Sequence, residues 1–313
     1  MKIGETTFDN GLEKLDLKHP QLLKSLDFDK LYHIKGPTKS ESFTLRNFLL
    51  LPENTHASEA DIKSEIELNE YLQKIPNKPN LFPIYRGYIK NQEDIPQMTS
   101  YTLMYESFEK SLESLILEKQ QGGFFSFNAL QYYFKSLVNG LAYMQVLDLF
   151  PLDLTPDNIF LTSDNILKFL TFTDQSFYLK NYKYKKTGFN APELLNPSKT
   201  SIWNYYKCEV FTLGVIILYM GTFSVPRVED FEGDIKRMKE EFYNFYLERT
   251  RDDEERKKLK EFIEILNEML GMENMKRPDF INLFYRLIDL KNKKNLQKHI
   301  MIEDGNSQKN IIF

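Results

Sequence analysis

Residues 151–161 read Pro-Leu-Asp-Leu-Thr-Pro-Asp-Asn-Ile-Phe-Leu, and this stretch decides the fold of the chain. It contains an acid, Asp153, with a proline three residues later and an asparagine, Asn158, five residues later. A turn signal follows at 162–165, and the apolar run at 166–172 has the composition of a strand. The spacing of Asp153 and Asn158 alone indicates no particular function, so the sequence on either side decides its meaning.

The composition is that of a folded protein without a strong charge bias. The chain has 313 residues, of which 42% are apolar and 27% charged, enough for one large domain or two lobes. With 41 basic and 45 acidic residues the net charge is -4, which gives no general attraction to nucleic acids or anionic membranes. We therefore expect neither a nucleic acid nor a membrane as a partner.

The start of the chain and its apolar runs predict a location. The first residues, Met-Lys-Ile-Gly-Glu-Thr, lack the apolar core of a signal peptide, and the longest apolar run, 215–220, is too short to cross a bilayer. These features predict a soluble intracellular protein, cytoplasmic or cytoskeletal.

The cysteine and histidine content predicts neither a disulfide nor a zinc site. Cys208 is the only cysteine, and its apolar neighbours predict a buried packing role. Four scattered histidines have no metal-ligand spacing: His19, His33, His56 and His299.

The first third of the chain predicts a small sheet with one helix. An arm at 1–30 carries a short helical pattern that opens at Pro20. Ser58 supplies a polar cap for a helix with an acidic first turn. The predicted strands lie at 31–34, 43–51 and 80–88, and the helix begins at 58–68.

The rest of the chain is predicted to be mostly helical. A strand at 101–106 and a short link precede an amphipathic helix at 111–119, and a longer helix at 127–145 has apolar positions at helical spacing. A further helix is predicted at 209–219.

With these neighbours, residues 151–161 resemble the catalytic loop of protein kinases. Residues 191–193 read Ala-Pro-Glu, which matches the end of a kinase activation segment, and 275–278 read Met-Lys-Arg-Pro, which is similar to the last landmark of the family. The helix at 209–219 resembles the buried central helix of the larger kinase lobe. The resemblance covers about residues 30–290.

The resemblance implies an α+β, bilobal, protein-kinase-like fold. A small antiparallel-sheet N-lobe with one helix would span 31–106, and a larger, mostly helical C-lobe would span 107–290. The arm at 1–30 precedes them, and the polar tail at 291–313 is either a frayed end or a docking peptide. Within the C-lobe, the resemblance implies a structural ion pair between Glu193 and Arg277.

The family assigns chemistry to the catalytic loop and to the strand-like run after it. The acid accepts the proton of the substrate hydroxyl and the asparagine holds a metal ion, roles that fall on Asp153 and Asn158. Thr155 stands where the family has a lysine, and Thr171 stands where it has a metal-binding aspartate. A hard magnesium ion would lose its main anchor at Thr171, so no metal is expected.

The phosphate-binding residues of the N-lobe are altered as well. The resemblance puts Arg46 in place of the strand lysine and keeps Glu65 as its helix partner. Arginine prefers bidentate pairing with a carboxylate to a point contact with phosphate. The alternative interpretation is that Arg46 is a surface strand residue with a solvated charged group. Only Gly36, followed by Pro37, lies between the first two strands, so the glycine-rich phosphate loop is missing.

The resemblance also predicts that the adenine pocket is occluded. Thr44 replaces the small alanine of its roof and Phe160 replaces the leucine of its floor. An aromatic ring at the floor gains about 1.5–3 kcal/mol by burying itself in the slot. The alternative is that Phe160 packs onto the helix at 127–145 and leaves the pocket open. Asn69, four residues after Glu65, must find hydrogen-bond partners or stay wet.

These replacements predict that the chain is not an enzyme. Kinase catalysis is mostly positioning and charge stabilisation, and one lost donor can cost about 10²- to 10³-fold. We expect a pseudokinase that binds neither ATP nor magnesium, uses no cofactor, and serves as a binding or scaffolding module for protein partners in a larger assembly. Two alternatives stay open: a weakly active Ser/Thr protein kinase that uses Asp153 and Asn158, with Asp174 as a substitute carboxylate, and an ATP-binding sensor without turnover.

Overall fold

The computed structural model describes residues 21–26, 29–35, 42–50, 58–92, 99–151, 153–174, 187–195 and 204–288. The chain divides into two compact units. Unit 1 comprises Met1–Leu112 and Ile159–Leu170, and unit 2 comprises Glu113–Asn158 and Thr171–Phe313.

Unit 1 is built on an antiparallel five-stranded sheet with the order β1-β2-β3-β5-β4. β3 lies in the middle because its sequence, SFTLRNFLL, is rich in residues that suit a strand with two neighbours. The register places His33 opposite Thr44, and Thr44 opposite Tyr105. The strands are β1 (Gln21–Leu26), β2 (Asp29–Lys35), β3 (Ser42–Leu50), β4 (Tyr85–Gln92) and β5 (Thr99–Glu106).

Helix α1 (Glu59–Lys74) begins at a complete capping box, as the sequence predicts. The Ser58 hydroxyl accepts a hydrogen bond from the Asp61 N–H, and the Asp61 carboxylate accepts one from the Ser58 N–H. These bonds satisfy N–H groups that have no partner inside the helix. Ile62 and Ile66 are buried one turn apart on the face that packs against β4. Burial of each contributes about 1.5–3 kcal/mol.

A second, smaller sheet completes unit 1. It has three antiparallel strands in the order β6-β8-β9. The strand β8 follows directly on the loop at 153–158, so the loop leads into the core of unit 1 through Phe160. The strands are β6 (Lys110–Ser111), β8 (Ile159–Leu161) and β9 (Leu167–Phe169).

Unit 2 is mostly helical and is centred on α5. All residues of α5 from 208 to 221 are buried, which is typical of a helix that forms the core of a domain. Among the described helices none is both long and apolar enough to cross a membrane. The helices are α2 (Leu112–Gly122, which begins at the last residue of unit 1), α3 (Phe127–Val146), α4 (Pro192–Leu195), α5 (Tyr205–Thr222), α6 (Phe231–Leu247), α7 (Asp253–Met269) and α8 (Phe280–Leu287).

A two-stranded antiparallel sheet of unit 2 brackets the loop at 153–158. It pairs β7 (Leu149–Pro151) with β10 (Phe172–Asp174), and Pro151 is the cross-strand partner of Phe172. The chain therefore enters the loop from β7 in unit 2 and leaves it into β8 in unit 1. Together the elements of both units confirm the predicted α+β class, with a small antiparallel sheet and one helix in one part and mostly helices in the other.

The helical pattern predicted after Pro20 is wrong. Residues Gln21–Leu26 form β1 and pair antiparallel with β2, from Gln21 opposite His33 to Leu26 opposite Asp29. The ladder satisfies backbone N–H and C=O groups that a six-residue isolated helix could not satisfy, so pairing along the sheet edge overrides the local pattern.

Cys208, the only cysteine of the chain, is buried in α5, which confirms its predicted packing role. Its thiol donates to Glu193 Oε1 over 3.1 Å. Burial and the nearby Glu193 carboxylate raise the pKa of the thiol far above its ordinary value. The thiol is therefore neutral and part of the packing of unit 2.

Candidate active site

The loop at 153–158 brings Asp153 and Asn158 together. The Asn158 side-chain amide donates to the Asp153 carbonyl oxygen over 3.0 Å and to the Asp153 carboxylate over 3.1 Å. A third bond from the same amide reaches the Thr155 hydroxyl over 3.2 Å. The Pro156–Asn158 3₁₀ turn sets this geometry, because it folds Asn158 back over the start of the loop. Asp153 is exposed, so its carboxylate is accessible to a substrate hydroxyl.

Thr155 lies where the resemblance places a lysine, and its contact shows what the replacement does. Its hydroxyl accepts from Asn158 and so stabilises the loop. A hydroxyl adds no positive charge, so it does not stabilise the charge of a transferring phosphoryl group as a lysine would.

Arg46 and Glu65 form an ion pair inside unit 1. The Arg46 Nη1 donates to Glu65 Oε1 over 2.6 Å, and the side chains are only 8% and 16% exposed. The guanidinium also lies over the ring of Phe48, 4.4 Å from its centroid. Arg46 is therefore not a surface strand residue, because a carboxylate and a ring hold its charged group.

Tyr105 belongs to the same group of bonded residues, a contact that the sequence analysis did not predict. Its phenol donates to Glu65 Oε1 over 3.3 Å, and Asn69 donates to the Glu65 carbonyl oxygen over 2.8 Å and to the Tyr105 hydroxyl over 3.4 Å. Burial, with the Glu65 charge next in size, raises the pKa of Tyr105 well above its ordinary value, so the phenol keeps its proton and can donate. Glu65 is thus held from three sides within unit 1.

Asn69 finds hydrogen-bond partners for its amide nitrogen but not for its oxygen. It is fully buried, and its Oδ1 has no hydrogen-bond partner among the described residues. The expectation that this residue would need polar partners in the core is therefore met on the donor side alone.

Thr44 and Phe160, the predicted roof and floor of an adenine pocket, are both buried in unit 1. Phe160 belongs to the core of unit 1 and stacks on Phe108, with ring centroids 5.6 Å apart. The Phe108 N–H donates to the Thr44 hydroxyl over 2.8 Å. Phe108 therefore contacts both Thr44 and Phe160, and the occlusion of the pocket stays a prediction.

The sequence-based reasoning missed Phe108. The signal that was available is its place in the link at 107–109, where one aromatic residue stands between Glu106, Ser107, Glu109 and Lys110. An apolar ring among polar residues in a short link is expected to fold back into a core.

One of the two residues matched to metal ligands lacks the carboxylate that a magnesium ion prefers. Thr171 supplies a hydroxyl in its place. In the part of the chain that the structure describes, no group of three His, Cys, Asp or Glu side chains is placed to hold a metal ion. The side chain of Asp174, the substitute carboxylate considered above, lies outside the described residues, as do Gly36, Pro37 and the tail at 291–313.

The predicted pair of Glu193 and Arg277 is confirmed in unit 2. The guanidinium makes two bonds to the carboxylate, Nη1 to Oε1 over 2.6 Å and Nη2 to Oε2 over 2.9 Å. The pair has a structural role, because both side chains are buried.

Comparisons with known proteins agree with this fold. The protein kinase domain family matches residues 38–286. A MAP kinase from Leishmania major, LmaMPK10, has a similar structure with a TM-score of 0.59 and 14% sequence identity, over 91% of this chain and 86% of that chain. At this level of identity the second likeness shows the fold alone.

The family match contradicts the prediction that the chain is not an enzyme, because the matched family consists of enzymes and the match spans the catalytic loop. The reasoning failed because it treated replaced residues as lost activity. Arg46 still pairs with Glu65, and Asn158 still contacts Asp153.

Proposed function

The chain belongs to the protein kinase domain family, and on this basis we propose that it transfers a phosphoryl group slowly to a protein hydroxyl, with Asp153 as the general base. The observation that supports the proposal is the contact of the Asn158 amide with both the backbone and the carboxylate of Asp153. This contact fixes an accessible carboxylate on a short, well-packed loop.

The proposed role of Asp153 follows from its chemistry. An ionised carboxylate is an acceptor, so it can take the proton of a serine or threonine hydroxyl as that oxygen attacks phosphorus. The Asn158 amide donates to one of the carboxylate oxygens and holds the side chain in place.

The rate is expected to be low because two sources of charge stabilisation are replaced. Thr155 and Thr171 are neutral, whereas the family has a lysine and an aspartate there. The loss of one preorganised group at an active site costs about 10²- to 10³-fold in rate, and such losses do not add strictly. The positive charge of Arg46 does not make up fully for the missing lysine charge, because its guanidinium is already paired with Glu65.

The test is transfer of radiolabelled phosphate from ATP to a mixture of protein substrates and to the chain itself. We expect slow incorporation by the parent and a loss of roughly 10²-fold or more in Asp153→Asn, which keeps the shape of the side chain but not its basicity. Asp157→Asn is the matched control, because Asp157 is an exposed acid in the same loop and is expected to leave the rate unchanged.

Two outcomes would count against the proposal. If the parent incorporates no more label than Asp153→Asn, Asp153 is not a general base. If ATP binds and no label is transferred under any condition, the chain is a nucleotide sensor, the alternative that the sequence left open.

A further inference from the structure

We propose that Phe108 is a gate that occupies the nucleotide-base position of unit 1, so that a base binds only after the Phe108 ring has left. This inference rests on the proposed use of ATP, because it concerns access to the site that ATP would need.

Both backbone polar groups of Phe108 are held by side chains of the sheet. Its N–H donates to the Thr44 hydroxyl over 2.8 Å, and its carbonyl oxygen lies 3.1 Å from Nδ1 of His33. A carbonyl only accepts, so this second bond needs the His33 tautomer that carries its proton on Nδ1. The same nitrogen lies 3.1 Å from the Ser107 hydroxyl.

The two clamping residues are direct neighbours across the sheet. His33 of β2 stands opposite Thr44 of β3. The two side chains of one cross-strand pair therefore contact both the N–H and the carbonyl oxygen of Phe108. Phe108 follows β5 in the link at 107–109, and β5 pairs with β3 through Thr44 and Tyr105. Three adjacent strands therefore hold the backbone of Phe108 in place.

The ring of Phe108 has two aromatic neighbours. Phe160 lies with centroids 5.6 Å apart and planes 21° apart, and Tyr105 lies with centroids 6.4 Å apart and planes 28° apart. Phe108 has no exposed surface. Protein interiors are close-packed, so a flat ligand cannot be added to this stack and must replace a ring in it.

The groups released when Phe108 leaves are those that recognise a nucleobase. The freed face of Phe160 offers an aromatic surface for stacking, and the Thr44 hydroxyl, no longer engaged by Phe108, can donate or accept. The ligand class is therefore a planar heterocycle with hydrogen-bonding edges. Its apparent affinity is reduced by the fraction of molecules in which the gate is open.

The test is the binding of ADP without magnesium, measured by calorimetry on the full chain. We expect Phe108→Ala to bind ADP at least roughly 10-fold more tightly than the parent, because it no longer has to expel a ring. Leu72→Ala is the matched control: Leu72 is buried in helix α1 of unit 1 and carries no ring, and its loss should leave ADP binding as in the parent.

A second variant keeps the proposal testable if Phe108→Ala does not fold. His33→Leu removes one clamp and retains the Phe108 ring, so it should tighten ADP binding by a smaller factor than Phe108→Ala. Equal ADP affinity in the parent and in all folded variants would overturn the gate.

Inorganic tripolyphosphate separates base binding from phosphate binding. It should bind the parent and Phe108→Ala equally, and equal tightening for tripolyphosphate and ADP would also overturn the proposal. None of these binding measurements depends on phosphoryl transfer. The gate can therefore be confirmed or overturned whatever the outcome of the Asp153→Asn experiment.

Discussion

Glu193 and Arg277 stand 84 positions apart in sequence and form a buried bidentate ion pair in unit 2. The pair connects the short helix α4 to the segment that precedes α8, because Arg277 also donates to the carbonyl oxygens of Gly271 and Lys207. Asn274 adds a bond from its amide to Glu193 Oε1 over 2.7 Å. The two buried charged groups are therefore hydrogen-bonded to each other and to neighbouring polar groups. A buried ion pair is stable under this condition.

Glu193→Gln is expected to destabilise unit 2 by about 3–5 kcal/mol, because it leaves the Arg277 charge buried without a counter-charge. Urea unfolding measures the effect. Glu268→Gln is the control, since its partner Arg286 lies on the surface with 41% of its side chain exposed, and such a pair contributes about 1 kcal/mol or less. Equal losses in the two variants would show that burial does not decide the strength of these pairs.

The stability of unit 2 should fall in acid through the same residue. Burial by itself raises the pKa of Glu193, but the hydrogen bonds and charge of Arg277 outweigh it and hold the pKa below the ordinary value of 4.5. A carboxyl group whose folded pKa is lowered stabilises the fold fully above its unfolded pKa, about 4.3, and loses that contribution as the pH falls through the folded value.

Urea unfolding of the parent and of Glu193→Gln between neutral pH and pH of about 3 checks this. The difference in unfolding free energy should be constant above the unfolded pKa and should shrink below it. A difference that stays constant down to the lowest pH would mean that Glu193 remains ionised, or contributes nothing by its charge.

Asn69→Leu is expected to leave the stability of unit 1 unchanged or to raise it by up to about 1–3 kcal/mol, the cost of a buried polar atom without a partner. The reason is the Asn69 Oδ1, which has no hydrogen-bond partner among the described residues. Asn69→Asp should have the opposite effect, because it adds a buried negative charge beside Glu65. Thermal unfolding of the two variants compares them, and a loss of stability in Asn69→Leu would show that its donor bonds to Glu65 and Tyr105 outweigh the unsatisfied oxygen.

Magnesium is expected to leave the melting temperature of the parent unchanged, with or without ATP. The reason is Thr171, a neutral hydroxyl where the family has its metal-binding carboxylate. A ligand at 100 times its dissociation constant stabilises a protein by about 2.7 kcal/mol, which thermal unfolding detects easily. Thr171→Asp is the companion variant: restoring the carboxylate should produce a magnesium-dependent rise, and a rise in the parent itself would contradict the prediction.

The sequence predicted the ion pairs whose residues occupy fixed positions in the protein kinase motifs. Arg46 with Glu65 and Glu193 with Arg277 were named from their places in the chain, and the structure brings each pair together. The proton-accepting role of Asp153 stays a prediction until phosphoryl transfer is measured.

The sequence could not predict contacts that depend on where a link turns. Phe108 meets Thr44 across 64 positions and His33 across 75, and both contacts depend on the pairing of three strands. The same holds for Tyr105, whose phenol reaches Glu65 across 40 positions. Strand β1 was missed for a related reason, since a short segment reads as helix or strand until its neighbour in the sheet is known.

The burial of the single thiol gives this chain an internal reporter. Cys208 is enclosed in α5, protonated, and bonded to the Glu193 carboxylate, so a maleimide or disulfide reagent cannot reach it in the folded state. Its rate of labelling therefore measures how often the centre of unit 2 opens, without a mutation or an attached dye. Because Glu193 also holds Arg277, Glu193→Gln should accelerate labelling, and the acceleration would report the local opening of unit 2.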